Sequence, residues 1–146
     1  MEVIRATEEY QRAGAYYVRI QAMARQHSIP LREEFDEIDG PGCRYIVVLD
    51  DGFPVATCRW FEVAEGTVEI GRVVVLPDYR GRHLSVLVMQ EAEKWIRESG
   101  YRKITLSSRI GVEKLYEKLG YGYNPDCEAH SGTFQCVYME KILSDL

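Results

Sequence analysis

The sequence predicts a single α/β domain built around a mixed sheet, and three observations carry that prediction. Runs of strand character alternate with runs of helical spacing along the whole chain. One run, Val73-Val74-Val75-Leu76, is apolar on both faces, as a strand covered on both sides must be. Glycine and proline interrupt the pattern at short intervals and mark the connections. At 146 residues the chain fits one compact domain, spanning residues 1–146, with enough length to bury a core.

The elements follow in order. Glu2 to Arg5 reads as a short first strand. Thr7 is placed to cap the helix that follows, with Glu8 and Glu9 favouring its first turn. Tyr10, Ala13, Tyr17, Ile20 and Ala24 recur at helical spacing as far as about Arg25. Ile29-Pro30 breaks that helix, and the acidic stretch Glu33 to Asp39 ends in the turn Gly40-Pro41-Gly42. Tyr45 to Leu49 and Pro54 to Val63 form a hairpin about Asp50-Asp51-Gly52. Glu65-Gly66 turns the chain into Thr67 to Leu76, which Pro77 stops. Leu84, Leu87, Val88, Ala92, Trp95 and Ile96 mark an amphipathic helix closed by Gly100. Arg102 to Leu106 is a further strand. Val112, Leu115, Tyr116 and Leu119 line a short helix ended by Gly120, and Phe134 to Ile142 is the last strand.

Composition excludes several classes. Net charge of −5 argues against nucleic acid as the partner, since phosphate binding needs a basic face, and is mildly compatible with cationic amines. The longest apolar runs fall far short of the roughly 20 residues of a membrane span. The opening Met1-Glu2-Val3-Ile4-Arg5 lacks a signal-peptide pattern, so the expected location is cytoplasmic, with no membrane partner. Cys43, Cys58, Cys127 and Cys136 form no C-x-x-C pair and have no histidine at zinc spacing, so free thiols and no metal are expected.

Chemistry concentrates in Val73 to Ser85. A buried strand runs through a short loop into a helix, whose first N–H groups lack internal partners and whose macrodipole favours an anion. Arg80 and Arg82 add positive charge. No G-K-S/T follows, which excludes an ATP P-loop. Leu76-Pro77-Asp78-Tyr79-Arg80-Gly81 resembles the coenzyme-binding segment of the GNAT acyltransferases, and Arg80 matches the first position of their motif: Gln or Arg, two residues, Gly, one residue, Gly or Ala. His83 stands where that family has Gly, and Ser85 where it has Gly or Ala. The resemblance implies a mostly antiparallel GNAT-like sheet of about six or seven strands flanked by about four helices. It implies that Gly81 and the amides of Arg82, His83, Leu84 and Ser85 cradle the coenzyme pyrophosphate, with Arg80 lending charge. Val73, Val74 and Val75 would pair with the coenzyme arm. The alternative is a solvated turn before a helix.

Leu115-Tyr116-Glu117-Lys118-Leu119-Gly120-Tyr121 resembles the family's second signature, 35 residues on from Arg80. The resemblance gives Tyr116 the role of protonating the departing thiolate, which suits a phenol of pKa near 10; a core-packing tyrosine is the alternative. Glu69 matches the general base of the family's histone-acetyltransferase branch. At about 3.3 Å per residue it lies some 13 Å from Val73, so it would need a water chain, and an exposed strand Glu is the alternative. Val18-Arg19, Arg25 to Pro30 and Glu34 to Asp39 look like a degenerate form of the ElaA-like subgroup pattern, from which Arg19 and Glu34 would bind the acceptor.

These readings point to an N-acyltransferase that carries acetyl from acetyl-CoA, as co-substrate, to an amine by direct attack in a ternary complex. A small-molecule amine and a peptide or protein amine (a lysine side chain or an N-terminus) both remain as acceptors, and a CoA-binding module without turnover is the alternative reading. The fold is compatible with a homodimer.

Overall fold

The computed structural model describes residues 1–131 and 134–143, with the backbone alone described at 125–131 and 134. Seven strands form one sheet: β1 (Glu2–Ala6), β2 (Arg44–Asp50), β3 (Phe53–Ala64), β4 (Thr67–Val75), β5 (Lys103–Arg109), β6 (Gly122–Ser131) and β7 (Phe134–Ile142). Their spatial order is β1-β2-β3-β4-β5-β7-β6. Every pairing is antiparallel except β4 with β5. The helices are α1 (Glu9–Arg19), which runs on as a π-helical segment over Ile20–Arg25, the one-turn α2 (Leu31–Glu34), α3 (Leu84–Glu98) and α4 (Glu113–Lys118). A 3-10 turn at Pro77–Tyr79 joins β4 to α3.

Side-chain alternation along the strands makes two cores. Ile46, Val48, Cys58, Trp60, Val68 and Ile70 face Val88, Met89, Ala92 and Ile96 of α3. On the opposite face Tyr45, Val47 and Phe61 cluster with Ala15 of α1, and Val18 and Ala22 pack on Val74. Cys58 is fully buried, as a small core residue, and Cys43 and Cys58 are thiols outside any disulfide. The side chain of Cys127 lies outside the described residues. Among the described residues no helix is long and apolar enough to cross a membrane.

Three details differ from the sequence expectation. The cap of α1 is Glu8 rather than Thr7, because the Gln11 side chain accepts the N–H groups of both Thr7 (2.9 Å) and Glu8 (3.0 Å) and starts the helix one residue later. The hairpin turn narrows to Asp51-Gly52, whose positive φ values of 51° and 81° are those of a two-residue type I′ turn. Strand β6 occupies Gly122–Ser131, a stretch given no element in the sequence; an edge position tolerates its Gly122 and Pro125, since a proline there forfeits no ladder bond.

Candidate active site

The parallel pairing of β4 and β5 ends early. Thr67, Val68 and Glu69 pair with Lys103, Ile104 and Thr105, and beyond that point the strands part. Strand β5 keeps its other partner, β7, as far as Arg109. One edge of β4 from Ile70 onward therefore carries backbone N–H and C=O groups with no strand beside them, and such groups call for a partner. A cleft with about 700 Å³ of open space fills the gap, walled among others by Ile70, Arg72, Val73, Val74, Leu106 and Tyr116.

A β-bulge re-aims β4 at this place. Thr57 pairs with Val74 and Arg59 with Gly71, so Arg72 and Val73 together oppose Cys58. Arg72 takes φ of 51°. The extra residue shifts side-chain parity: Val68 and Ile70 face α3 before the bulge, and Val73 and Val75 do so after it. Val74 is thereby turned to the α1 face, and Val75 is a core residue outside the cleft wall.

Helix α3 begins without a side-chain cap and with no acidic residue in its first turn, and none of Arg80 to Ser85 is part of the cleft wall. Its leading amides are thus open donors at the positive end of a 15-residue helix. His83, the N-cap, adopts a left-handed conformation (φ 60°, ψ 26°), and its side chain is exposed. The backbone there has the shape a glycine would give it. Gly81 has φ of 81°, and a Cβ built on it would meet no atom within 4 Å. Arg80 donates to the Val75 carbonyl (3.2 Å) and to Gln26 (2.9 Å), which fixes the loop against β4 and the π-helical segment. Arg82 stacks 4.9 Å from the centre of the Tyr79 ring. Leu84 is buried in the core, and Ser85 is half-buried.

Tyr116 lies in the cleft wall, only 8% exposed. Burial pushes its phenol up to about 12, with Cys58 acting in the same direction and Arg109 opposing. It is a protonated group at neutral pH. Glu69 is outside the wall, half-buried and two residues before Gly71. Burial raises its carboxyl above the usual range against the pull of Arg59 and Arg72.

Arg19 and Glu34 occupy a place other than the expected one. Both are buried, at 0% and 2% exposure, and pair at 3.0 Å, so neither lies on the cleft wall. They belong to a network of three arginines and three carboxylates. Arg19 also binds Asp39 (2.7 Å), Arg59 binds Asp36 (2.9 Å) and Asp39 (3.0 Å), and Arg72 binds Glu34 (3.1 Å). Burial alone would raise the Asp39 carboxyl, but hydrogen bonds from Arg19 and Tyr45 and the charge of Arg59 hold it well below the usual range. Their physical reason is charge pairing: these long side chains satisfy one another inside rather than solvate. The member of the network that reaches the cleft is Arg72, which sequence reasoning passed over together with Met23, Ser107, Arg109 and Cys136. Its signal was available only in the Gly71-Arg72 step, where a bulge fits but is not required.

A model of the Acetyltransferase (GNAT) family matches residues 5–121. The uncharacterized N-acetyltransferase YjcF of Bacillus subtilis (strain 168) is 29% identical over 121 residues, which are 83% of this chain and 85% of that relative. A solved protein of Lactobacillus plantarum superposes with a TM-score of 0.89 at 26% identity, covering 98% of both chains. Escherichia coli ElaA superposes at 0.79 with 18% identity, over 97% of this chain and 99% of its own. That likeness is one of fold, and the ElaA-like subgroup is not singled out by it. The family model covers most of the chain, and a relative and solved structures agree with it: this chain belongs to the GNAT family of N-acetyltransferases.

Proposed function

We propose that the protein transfers an acetyl group from acetyl-CoA to a primary amine by direct attack within a ternary complex. The observation that carries this reading is the parting of β4 and β5, which leaves a strand edge facing a cleft that also holds the Tyr116 phenol. The residues present suit the coenzyme. An extended amide arm can add to the open β4 edge at Val73 and Val74 as a further strand would. The amides of Arg82, His83, Leu84 and Ser85 would hold the diphosphate at the uncapped start of α3, beside Gly81. Arg80 lends charge there while fixing the loop to β4.

Bound acetyl-CoA supplies an acyl group activated as a thioester and a thiol as leaving group. The remaining work falls to the chain. Tyr116, kept protonated by burial, donates its proton to the departing sulfur. Glu69 takes the proton of the incoming amine through water, and its raised pKa brings it nearer to neutral pH, where a base is most effective. Arg19 and Glu34 act at one remove, by holding Arg72 against the bulge.

The test is acetyl-CoA binding by titration calorimetry, followed by thiol release with amines. Tyr116→Phe is expected to lower kcat by about a hundredfold, within the range for a general acid, with coenzyme affinity unchanged. An unchanged kcat removes Tyr116 from the acid role.

A further inference from the structure

We infer that Lys141, Glu93 and Tyr121 are positioning residues for the reaction: a charge cluster behind α4 holds Tyr116 at the cleft wall. This deepens the acetyl-transfer reading above and rests on its assignment of Tyr116 as the acid. Helix α4 needs support from outside itself. Its six residues are far fewer than the roughly 12–15 at which an isolated helix becomes even marginally stable. Tyr116 is its one buried residue. The phenol must keep its place to meet a departing sulfur, since proton transfer needs hydrogen-bond reach.

The Tyr116 carbonyl accepts the N–H groups of Leu119 and Tyr121, each at 3.0 Å, and the Tyr121 ring meets the Tyr116 ring edge-on with centres 6.2 Å apart. Tyr121 is itself anchored, because its hydroxyl donates to Glu93 of α3 at 2.9 Å. Burial, and then the charge of Glu93, push that phenol well above its usual range, so it remains a donor. Lys141 of β7 completes the cluster. Its ammonium has three N–H donors. It reaches both Glu93 carboxylate oxygens at 3.1 Å and the Leu119 carbonyl at 2.7 Å. Leu119 ends α4, so its carbonyl is one the helix leaves unpaired, at the end where the macrodipole favours a cation. Gly120, at φ 96°, makes room for this approach: a Cβ there would lie 3.3 Å from the Lys141 side chain. None of Lys141, Glu93 and Tyr121 is part of the cleft wall, whereas Tyr116 is. They bear on the chemistry through Tyr116. A partly buried ion pair contributes little net stability, since lost hydration offsets the attraction. What this one fixes is the place of α4 between α3 and β7.

The experiment measures thiol release from acetyl-CoA to water, ethanolamine, spermidine, glycinamide and Nα-acetyl-lysinamide, with the same acceptor used for every variant. Lys141→Met keeps length and removes charge. It is expected to lower kcat by about tenfold while KM for acetyl-CoA holds, as a small displacement of a catalytic group does. In a Tyr116→Phe background the same substitution should cost nothing more, because the group it positions is gone. A role in stability alone would lower the urea midpoint and leave the kcat ratio the same in both backgrounds. Equal ratios therefore overturn the inference, as does full kcat in Lys141→Met. Hydrogen exchange at the Leu119 and Tyr121 amides asks the same question without turnover. It should quicken by about tenfold in Lys141→Met while the amides of α3 keep their rates, and unchanged exchange overturns the inference. If none of these acceptors reacts, exchange decides. Should Lys141→Met fail to fold, Tyr121→Phe carries the same tests, since it keeps the ring and loses only the hydroxyl bond to Glu93. About threefold in kcat is then expected, again absent beside Tyr116→Phe. Lowered kcat in Tyr116→Phe with full kcat in Lys141→Met sinks the inference and leaves the acid assignment standing. Full kcat in Tyr116→Phe sinks both.

Discussion

At the scale of single residues, His83 shows how a side chain occupies a position that its family gives to glycine. A left-handed backbone is disfavoured for a residue with a Cβ, though histidine tolerates it better than most. Held at φ 60° with its ring in solvent, His83 leaves the amides of α3 accessible. His83→Gly removes the strain but loosens the unfolded chain, and the two effects oppose each other. Because φ is positive, relief is expected to win by about 0.5–1 kcal/mol in urea denaturation. Acetyl-CoA affinity should be retained or improved; a loss would mean that the imidazole itself contacts the coenzyme. Glu69 gives a second residue-scale prediction. As a base it must be ionised, and burial raises its pKa. The pH profile of kcat should therefore carry an acid-side inflection above about 4.3, the ordinary value for Glu, that is lost in Glu69→Gln and leaves only the ionisation of the acceptor amine. An inflection unchanged in that variant assigns the base elsewhere.

At the scale of elements, legibility followed the strength of the local pattern. The amphipathic α3 was plain from Leu84, Val88, Ala92 and Ile96, and all four are buried. The hairpin was plain from Asp51-Gly52, because few other residues accept two positive φ values in succession. Strand β6 was not, since the only pattern it has is supplied by its partner β7. The bulge in β4 was hidden for a related reason. Glu69-Ile70-Gly71-Arg72-Val73-Val74-Val75 reads equally well as an unbroken strand, and the extra residue becomes visible only against β3. That hidden residue decides which valines face α3 and places Arg72 in the cleft. The uncapped start of α3 was legible in outline because a strand, a short loop and a helix follow one another from Val73 to Ser85, and the backbone donors there need no particular side chain. The pairing of Arg19 with Glu34 was not, because both look like solvated helix charges until the fold buries them together.

At the scale of the whole molecule, the six-charge network joins parts of the chain that the sequence keeps far apart. Arg19 comes from α1, Glu34 from α2, Asp36 and Asp39 from the segment after it, Arg59 from β3 and Arg72 from the β4 bulge. It ties the α1 layer to the sheet beside the cleft, so its integrity should bear on stability and on Arg72 together. Asp39 is held well below the usual range, and Asp36 is also lowered: burial pushes it up, but Arg59 outweighs that. A carboxylate depressed on folding contributes stability that is full above its unfolded pKa of about 3.9 and is lost as pH falls through the folded value. Glu69, raised on folding, has the opposite sign and loses its contribution as pH rises from about 4.3 through its folded value. Three depressed carboxylates, Asp36, Asp39 and the Glu98 that pairs with Arg5, against one raised one predict a net fall in the urea midpoint below about pH 4. Asp39→Asn leaves Arg19 and Arg59 with an uncompensated buried charge, so it should lower stability at pH 7 by about 3 kcal/mol. The same variant has no carboxylate left to protonate at that position, so its stability should vary less with pH between about 4 and 2 than the parent's. If denaturation at the two ends of that range shows equal losses for parent and variant, acid acts on some other part of the fold, and the network's hold on Arg72 must be argued from its geometry alone.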